Sequence, residues 1–181
     1  ALQRLFAQLY AQSGWARTLY GDNSFPAFYN SLFGDPWARA AQAGDQFPNG
    51  LLQPAWELPF PLGEAWSFTG GPHIDWGVGS PLGALDFAPI GTQRGCYISD
   101  RWATASEAGV VARSERGMLL LDLDGDGSEQ TGWVLLYLHL ADAGRLEAGT
   151  AVERDAPLGH PSCEGGQATG AHVHIARKYN G

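Results

Sequence analysis

Apolar residues at Leu2, Leu5, Phe6, Leu9 and Tyr10 fall at the i, i+3, i+4, i+7 spacing of one helical face, which predicts a helix at the start of the chain. A second short helix is expected over 26–33, with Ser24 as a cap, Pro26 in the first turn and Gly34 just past the end. Asp35-Pro36 then breaks the chain, and residues 38–50 are small and polar, closing on the turn signal Pro48-Asn49-Gly50. Beyond that point the periodicity changes. Short β-type runs at 66–69, 85–88, 108–114, 118–122, 133–140 and 171–177 are separated by Gly, Pro, Asn and Asp. The strongest two, 118–122 and 133–140, flank Asp124-Gly125-Asp126-Gly127, a hairpin signal. The expectation is a mainly β fold, an antiparallel β-sheet domain over 51–181, with a short helical N-terminal appendage over 1–50.

Composition agrees and removes several classes. Of 181 residues, 44% are hydrophobic and 17% charged, too apolar a mixture for disorder. The 25 Gly and 11 Pro follow no strict period, so they mark tight turns rather than collagen. A net charge of -8 argues against a nucleic-acid partner, which calls for a basic footprint. No uncharged apolar run is long enough to span a membrane. The sequence opens on Ala1 without a signal-peptide pattern and reads as a mature, trimmed or partial chain. Its two cysteines, Cys96 and Cys163, are too few for a disulfide scaffold and lack C-x-x-C spacing. In an exported protein they could pair, closing a loop of roughly 66 residues and stabilising by roughly 4 kcal/mol, less any strain. The other reading is two unrelated buried thiols.

Candidate chemistry gathers on five histidines: His73, His139, His160, His172 and His174. In a strand, His172 and His174 project from the same face and can converge on one metal ion. A bare H-x-H is nevertheless more often two half-exposed side chains. His73 lies in a Gly/Pro loop, the kind of segment that carries function. Asp86 sits inside the apolar run 84–88, where a buried carboxylate is costly without a cation; an edge-strand surface position is the alternative. His139, within 135–140, reads equally as a satisfied core histidine. Asp122, Asp124 and Asp126 with Gly127 match the D-x-D-x-D-G opening of a calcium loop, but Trp133 stands where the closing Glu belongs. A looser calcium site using Glu129 and Gln130 is one reading, and a solvated acidic hairpin tip the other. His160, Arg177 and Lys178 are expected at the surface. Trp56, Trp66 and Trp133 are expected to pack, whereas Trp76 and Trp102 could line a substrate groove.

The motifs Leu58-Pro59-Phe60, Trp66, Gly70-Gly71-Pro72-His73, Asp86, Tyr137-Leu138-His139-Leu140 and Cys163-Glu164-Gly165-Gly166, leading to Thr169-Gly170-Ala171-His172-Val173-His174, occur together and in order. In this the sequence resembles the M23 family of zinc metallopeptidases, the lysostaphin-like endopeptidases, and most closely their staphylolysin or LasA-type branch. The resemblance covers roughly two thirds of the chain, from Leu58 to Gly181. It implies a lysostaphin-like (duplicated-hybrid-motif) fold and one zinc per chain held by His73, Asp86 and His174. It also implies that His139 and His172 flank the metal as proton-transfer groups. The substrate implied is a glycine-rich peptide, in peptidoglycan cross-bridges or in glycine-rich proteins. A monomeric bacterial protein, secreted or in the cell envelope, goes with that reading. The chain lacks His-Glu-x-x-His, the signature of helical zinc proteases. It departs from the family in its longer, more acidic hairpin at 122–127, and the resembled branch continues past the position of Gly181. Two other classes compete: a catalytically silent M23-like module that binds cell wall or regulates a partner hydrolase, and a calcium-stabilised carbohydrate-binding β module. The second leaves the five site residues unexplained.

Overall fold

The computed structural model describes residues 48–75, 81–91 and 93–181, with 30–32, 34, 35 and 38. The helix expected at the start of the chain lies outside the described residues, as do most of 26–33 and Trp76. Residues 30–32 are helical, and the Gly34 N–H donates to the Asn30 carbonyl at 2.9 Å. Gly34 has φ 76°, the left-handed geometry usual just after a helix end. The chain divides into two compact units, Ala1–Leu51 with Asn180 and Leu52–Tyr179 with Gly181. The second carries the candidate chemistry.

Nine strands are described: β1 (Trp66–Ile74), β2 (Leu82–Pro89), β3 (Ala103–Thr104), β4 (Gly109–Glu115), β5 (Met118–Asp122), β6 (Trp133–Leu138), β7 (Ala151–Val152), β8 (Pro157–Gly159) and β9 (Val173–Tyr179). Seven form an antiparallel sheet in the order β1-β2-β9-β6-β5-β4-β7, and β3 pairs with β8 in a small second sheet. The antiparallel β architecture matches the expectation, as do the six β-type runs. The short strands β3, β7 and β8 went unforeseen, because two or three residues show no alternation.

The runs at β5 and β6 are apolar without alternation because both faces of the central sheet are covered. Leu119, Leu121, Leu135, Tyr137 and Val173 share one cluster with Ala103, Ala105 and Leu158, so the small sheet seals that face. Met118, Leu120, Val134, Leu136 and Leu138, one residue out of step, join Ala84 and Ala176 on the other. Each fully buried Leu contributes about 1.5–3 kcal/mol. Tyr137, also fully buried, accepts the Ser106 N–H at 2.8 Å, and burial pushes its pKa up to about 12. Tyr137→Phe leaves that N–H without its acceptor; urea denaturation should register a loss of about 1–3 kcal/mol. A loss below a few tenths would show that the bond adds nothing to stability.

Cys96 and Cys163 are joined by a disulfide, their Cα atoms 5.5 Å apart. Several local expectations need correction. Residues 70–73, read as a loop, continue β1 through three register shifts against β2. The strand expected to run to residue 140 stops at Leu138, because His139 turns the chain with φ 65°. Arg177 lies over the Trp56 ring at 4.8 Å, and Lys178 reaches Glu129 at 3.3 Å, so neither is merely solvated. The His160 ring lies tilted against that of Trp102, with ring centroids 3.9 Å apart. Trp56, Trp66 and Trp133 do pack: the first two against the main core, and Trp133 edge-on to Trp56 at 5.6 Å.

The acidic hairpin explains itself without calcium. Asp122, Asp124 and Asp126 offer oxygens within 4.8 Å of one another. Those oxygens, however, cap the turn's own backbone. Asp122 accepts the N–H groups of Asp124 at 3.2 Å and Gly127 at 2.7 Å, and Asp126 accepts that of Ser128 at 2.7 Å and the Thr131 hydroxyl at 2.6 Å. Burial, then the neighbouring Asp122, raises the pKa of Asp124. The acids are turn-formers of the kind such loops select, and the calcium expectation finds no support.

Candidate metal centre and cleft

Three neighbouring strands each place one polar side chain on a common patch. Asp86 on β2 stands directly opposite His174 on β9, so their side chains share a face. The bulged end of β1 brings in His73, whose Nε2 lies 2.8 Å from Asp86 Oδ2. His174 Nδ1 lies 3.2 Å from Asp86 Oδ1. Opposite Asp86 on β1 is Gly70, where a Cβ would come within 2.9 Å of Asp86 Oδ2. Glycine there leaves the carboxylate its room.

The imidazole tautomers follow from the carbonyls around them, since a carbonyl can only accept. His73 Nδ1 donates to Ile74 O at 3.0 Å, and His174 Nε2 donates to Asp75 O at 2.8 Å. The nitrogens left facing Asp86 are therefore lone pairs in the neutral rings, pointed at a carboxylate. Asp86 Oδ1 is buried and has no hydrogen-bond partner. Lone pairs converging on a carboxylate, one oxygen of which is orphaned, are stabilised by a cation among them. The backbone carbonyls behind the rings are the outer supports that metal-binding histidines usually have. The set, two imidazoles and one carboxylate with ligand atoms within 4.8 Å of one another, fits a divalent ion with a further position open.

The titration behaviour agrees. Burial works against ionising Asp86, but the His174 and His73 rings, which donate to it whenever they carry a second proton, more than offset this and hold the pKa below the usual carboxylate value. Burial lowers and Asp86 raises the pKa of His73, with a net rise. Asp86 is thus an anion at neutral pH, ready to bind a cation.

Around this patch opens a cleft of about 930 Å³, lined also by His139, His172 and the glycine-bearing stretch from Gly165 to Thr169. His172 Nε2 lies 3.7 Å from Asp86 Oδ1, and the His139 and His172 rings are 4.5 Å apart. Both rings have the same tautomer: His139 Nδ1 donates to Glu164 O at 2.9 Å and His172 Nδ1 to Gly170 O at 2.8 Å. Each therefore presents Nε2 as an acceptor. Burial, followed by the neighbouring His172 and His174, pulls the His139 pKa down to about 4. His139 is consequently a neutral ring at pH 7.

All five expected residues thus come together, while His160 packs against Trp102 instead of joining them. The carbonyls of Ile74, Asp75, Glu164 and Gly170 escape sequence reasoning, because any residue supplies a carbonyl. Only the Cys163-Glu164-Gly165-Gly166 motif hinted that the stretch behind His139 mattered.

No model of a known protein family matches the sequence. Individual relatives do. Beta-lytic metalloendopeptidase of Achromobacter lyticus is 33% identical over 142 residues, 74% of this chain and 34% of that protein. The enzyme of the same name from Lysobacter enzymogenes is 32% identical over 137 residues, 74% of this chain and 72% of its own length. Protease LasA of Pseudomonas aeruginosa is 27% identical over 188 residues, covering 92% of this chain and 42% of the relative. The chain therefore spans only about a third of the Achromobacter protein and under half of LasA. Among solved structures, the deep-sea M23 metalloprotease pseudoalterin superposes with a TM-score of 0.57 at 27% identity, over 72% of this chain and 73% of that one.

Proposed function

The chain belongs to the M23 family of metallopeptidases, in its LasA-like branch, and from that premise we propose that it is a zinc endopeptidase cleaving glycine-rich peptide bonds, in cell-wall cross-bridges above all. The observation that carries this reading is Asp86 Oδ1, buried and unpartnered beside imidazole nitrogens whose opposite sides are already committed to carbonyls. His73 through Nε2, Asp86 through its carboxylate and His174 through Nδ1 would hold the ion. Zinc supplies Lewis acidity towards a peptide carbonyl and water.

The remaining work falls to the chain. His139 Nε2, an acceptor because Nδ1 is committed to the Glu164 carbonyl, is suited to accept a proton from the attacking water. His172 Nε2, across the cleft, can stabilise the developing oxyanion or return a proton to the leaving amine. The exchange of these two roles is equally compatible with the geometry. The cleft wall has no side chain at Gly165 or Gly166, and a Cβ at Gly166 would lie 3.3 Å from His139 Cε1. A substrate without side chains fits so close an approach. The disulfide suits an oxidising, extracytoplasmic location. Residues 51–181 constitute the peptidase domain in this reading, with 1–50 an appendage to it.

Hydrolysis of a pentaglycine peptide, with and without a zinc chelator, tests the proposal. Cleavage that stops with chelator and returns with added zinc is the expected result. Cleavage indifferent to the chelator would sink the metal assignment. Zinc binding with no cleavage of pentaglycine or peptidoglycan would instead favour a silent, wall-binding module.

A further inference from the structure

Ser162 is bonded to both of the histidines assigned to proton transfer. Its N–H and its hydroxyl both donate to the His139 carbonyl, at 2.6 Å and 3.1 Å, and its own carbonyl accepts the His172 N–H at 3.3 Å. The same hydroxyl oxygen accepts the Glu164 N–H at 3.0 Å, and the Glu164 carbonyl in turn accepts from His139 Nδ1 at 2.9 Å. These bonds close a ring: His139 carbonyl, Ser162 hydroxyl, Glu164 backbone, His139 imidazole. Ser162 is 2% exposed, so water does not compete for its hydroxyl.

His139 needs such a brace. It holds φ 65°, a left-handed backbone uncommon for a residue with a side chain and costing of order 1–3 kcal/mol. Nothing in the β6 ladder fixes it, since the strand ends one residue earlier. We propose that Ser162 is a positioning residue: through the ring it forms with Glu164 it sets both the backbone and the Nδ1–H tautomer of His139, so that Nε2 faces the cleft as an acceptor. The role rests on the assignment of His139 to proton transfer, but the tautomer it predicts does not depend on catalysis.

The stretch that carries Glu164 has other anchors, so removing the hydroxyl loosens the Glu164 carbonyl against His139 without unfolding the stretch. Cys163 is tied to Cys96, and the Glu164 carboxylate accepts the Asp142 N–H at 2.7 Å. Gly165 is packed so tightly that a Cβ there would lie 2.5 Å from Arg116 O. Ser162→Ala should therefore fold, keep its disulfide and bind zinc as the wild type does.

The test combines kinetics, zinc content and histidine ¹⁵N spectroscopy on the zinc-loaded protein. In the wild type, long-range ¹H–¹⁵N correlations should show His139 as a single Nδ1–H tautomer. In Ser162→Ala that signature should broaden or give way to a mixture, with kcat on a pentaglycine peptide lowered about ten- to hundredfold while KM and bound zinc hold. An unchanged His139 spectrum together with unchanged kcat would overturn the proposal. So would parallel loss of zinc and rate, since that marks a general structural role. Should the wild type cleave nothing, the peptidase reading fails, and the tautomer comparison still decides for or against the brace.

Discussion

Asp86→Asn should lose its zinc on dialysis and hydrolyse peptide at least about 10³-fold more slowly than wild type, with the fold intact. The substitution preserves shape, so the core at Ala84 and Phe87 on the same strand is undisturbed. What it removes is the one anionic ligand of the set, leaving neutral imidazoles alone to hold a divalent ion. The zinc-free variant should nonetheless unfold in one cooperative thermal transition. Metal analysis after dialysis, steady-state rates and a thermal melt read the three outcomes. A variant that retained one zinc per chain and most of its rate would refute the ligand assignment.

A different pattern is expected one step outward. His139→Ala and His172→Ala should each keep zinc while losing about 10²–10⁴-fold in kcat, the usual contribution of a positioned acid or base. His174→Ala, two residues from His172 on the same face, should lose zinc altogether. The comparison is sharp because the two histidines are nearly equivalent in sequence and distinguished by reach: His174 Nδ1 lies 3.2 Å from Asp86 Oδ1, His172 Nε2 3.7 Å. Equal zinc loss from His172→Ala and His174→Ala would overturn this division of labour.

The strands that built the sheet were legible because Leu119, Leu121, Leu135 and Leu136 lie in long apolar runs bounded by turn residues, and such runs have few other stable arrangements. The site was legible through its rare residue types, histidines and one aspartate in an apolar stretch, and through the order of the motifs. Geometry at the joins was not. Gly70-Gly71-Pro72-His73 has the composition of a loop, and only pairing against β2 makes it a bulged strand. His139 sits in a run that reads as strand to residue 140; its left-handed turn is imposed by bonds to Ser162 and Glu164, more than twenty positions away. The acidic hairpin misled for the opposite reason. The carboxylates that bind calcium in one loop serve equally to cap backbone N–H groups in another, and sequence does not distinguish these uses.

The sheet order has a bearing on when the protein can act. β9, the last strand described, lies between β2 and β6, and without it the two halves of the large sheet share no ladder. The same strand carries His174 and follows directly on His172. A ribosome delivers the chain from its N-terminus at about 5–20 residues per second, so every shorter intermediate has an open sheet and an incomplete ligand set. A nascent or truncated molecule that stops short of β9 therefore lacks both the bridge between the two halves of the sheet and one of the three candidate ligands, so closing the sheet and assembling the site are a single event.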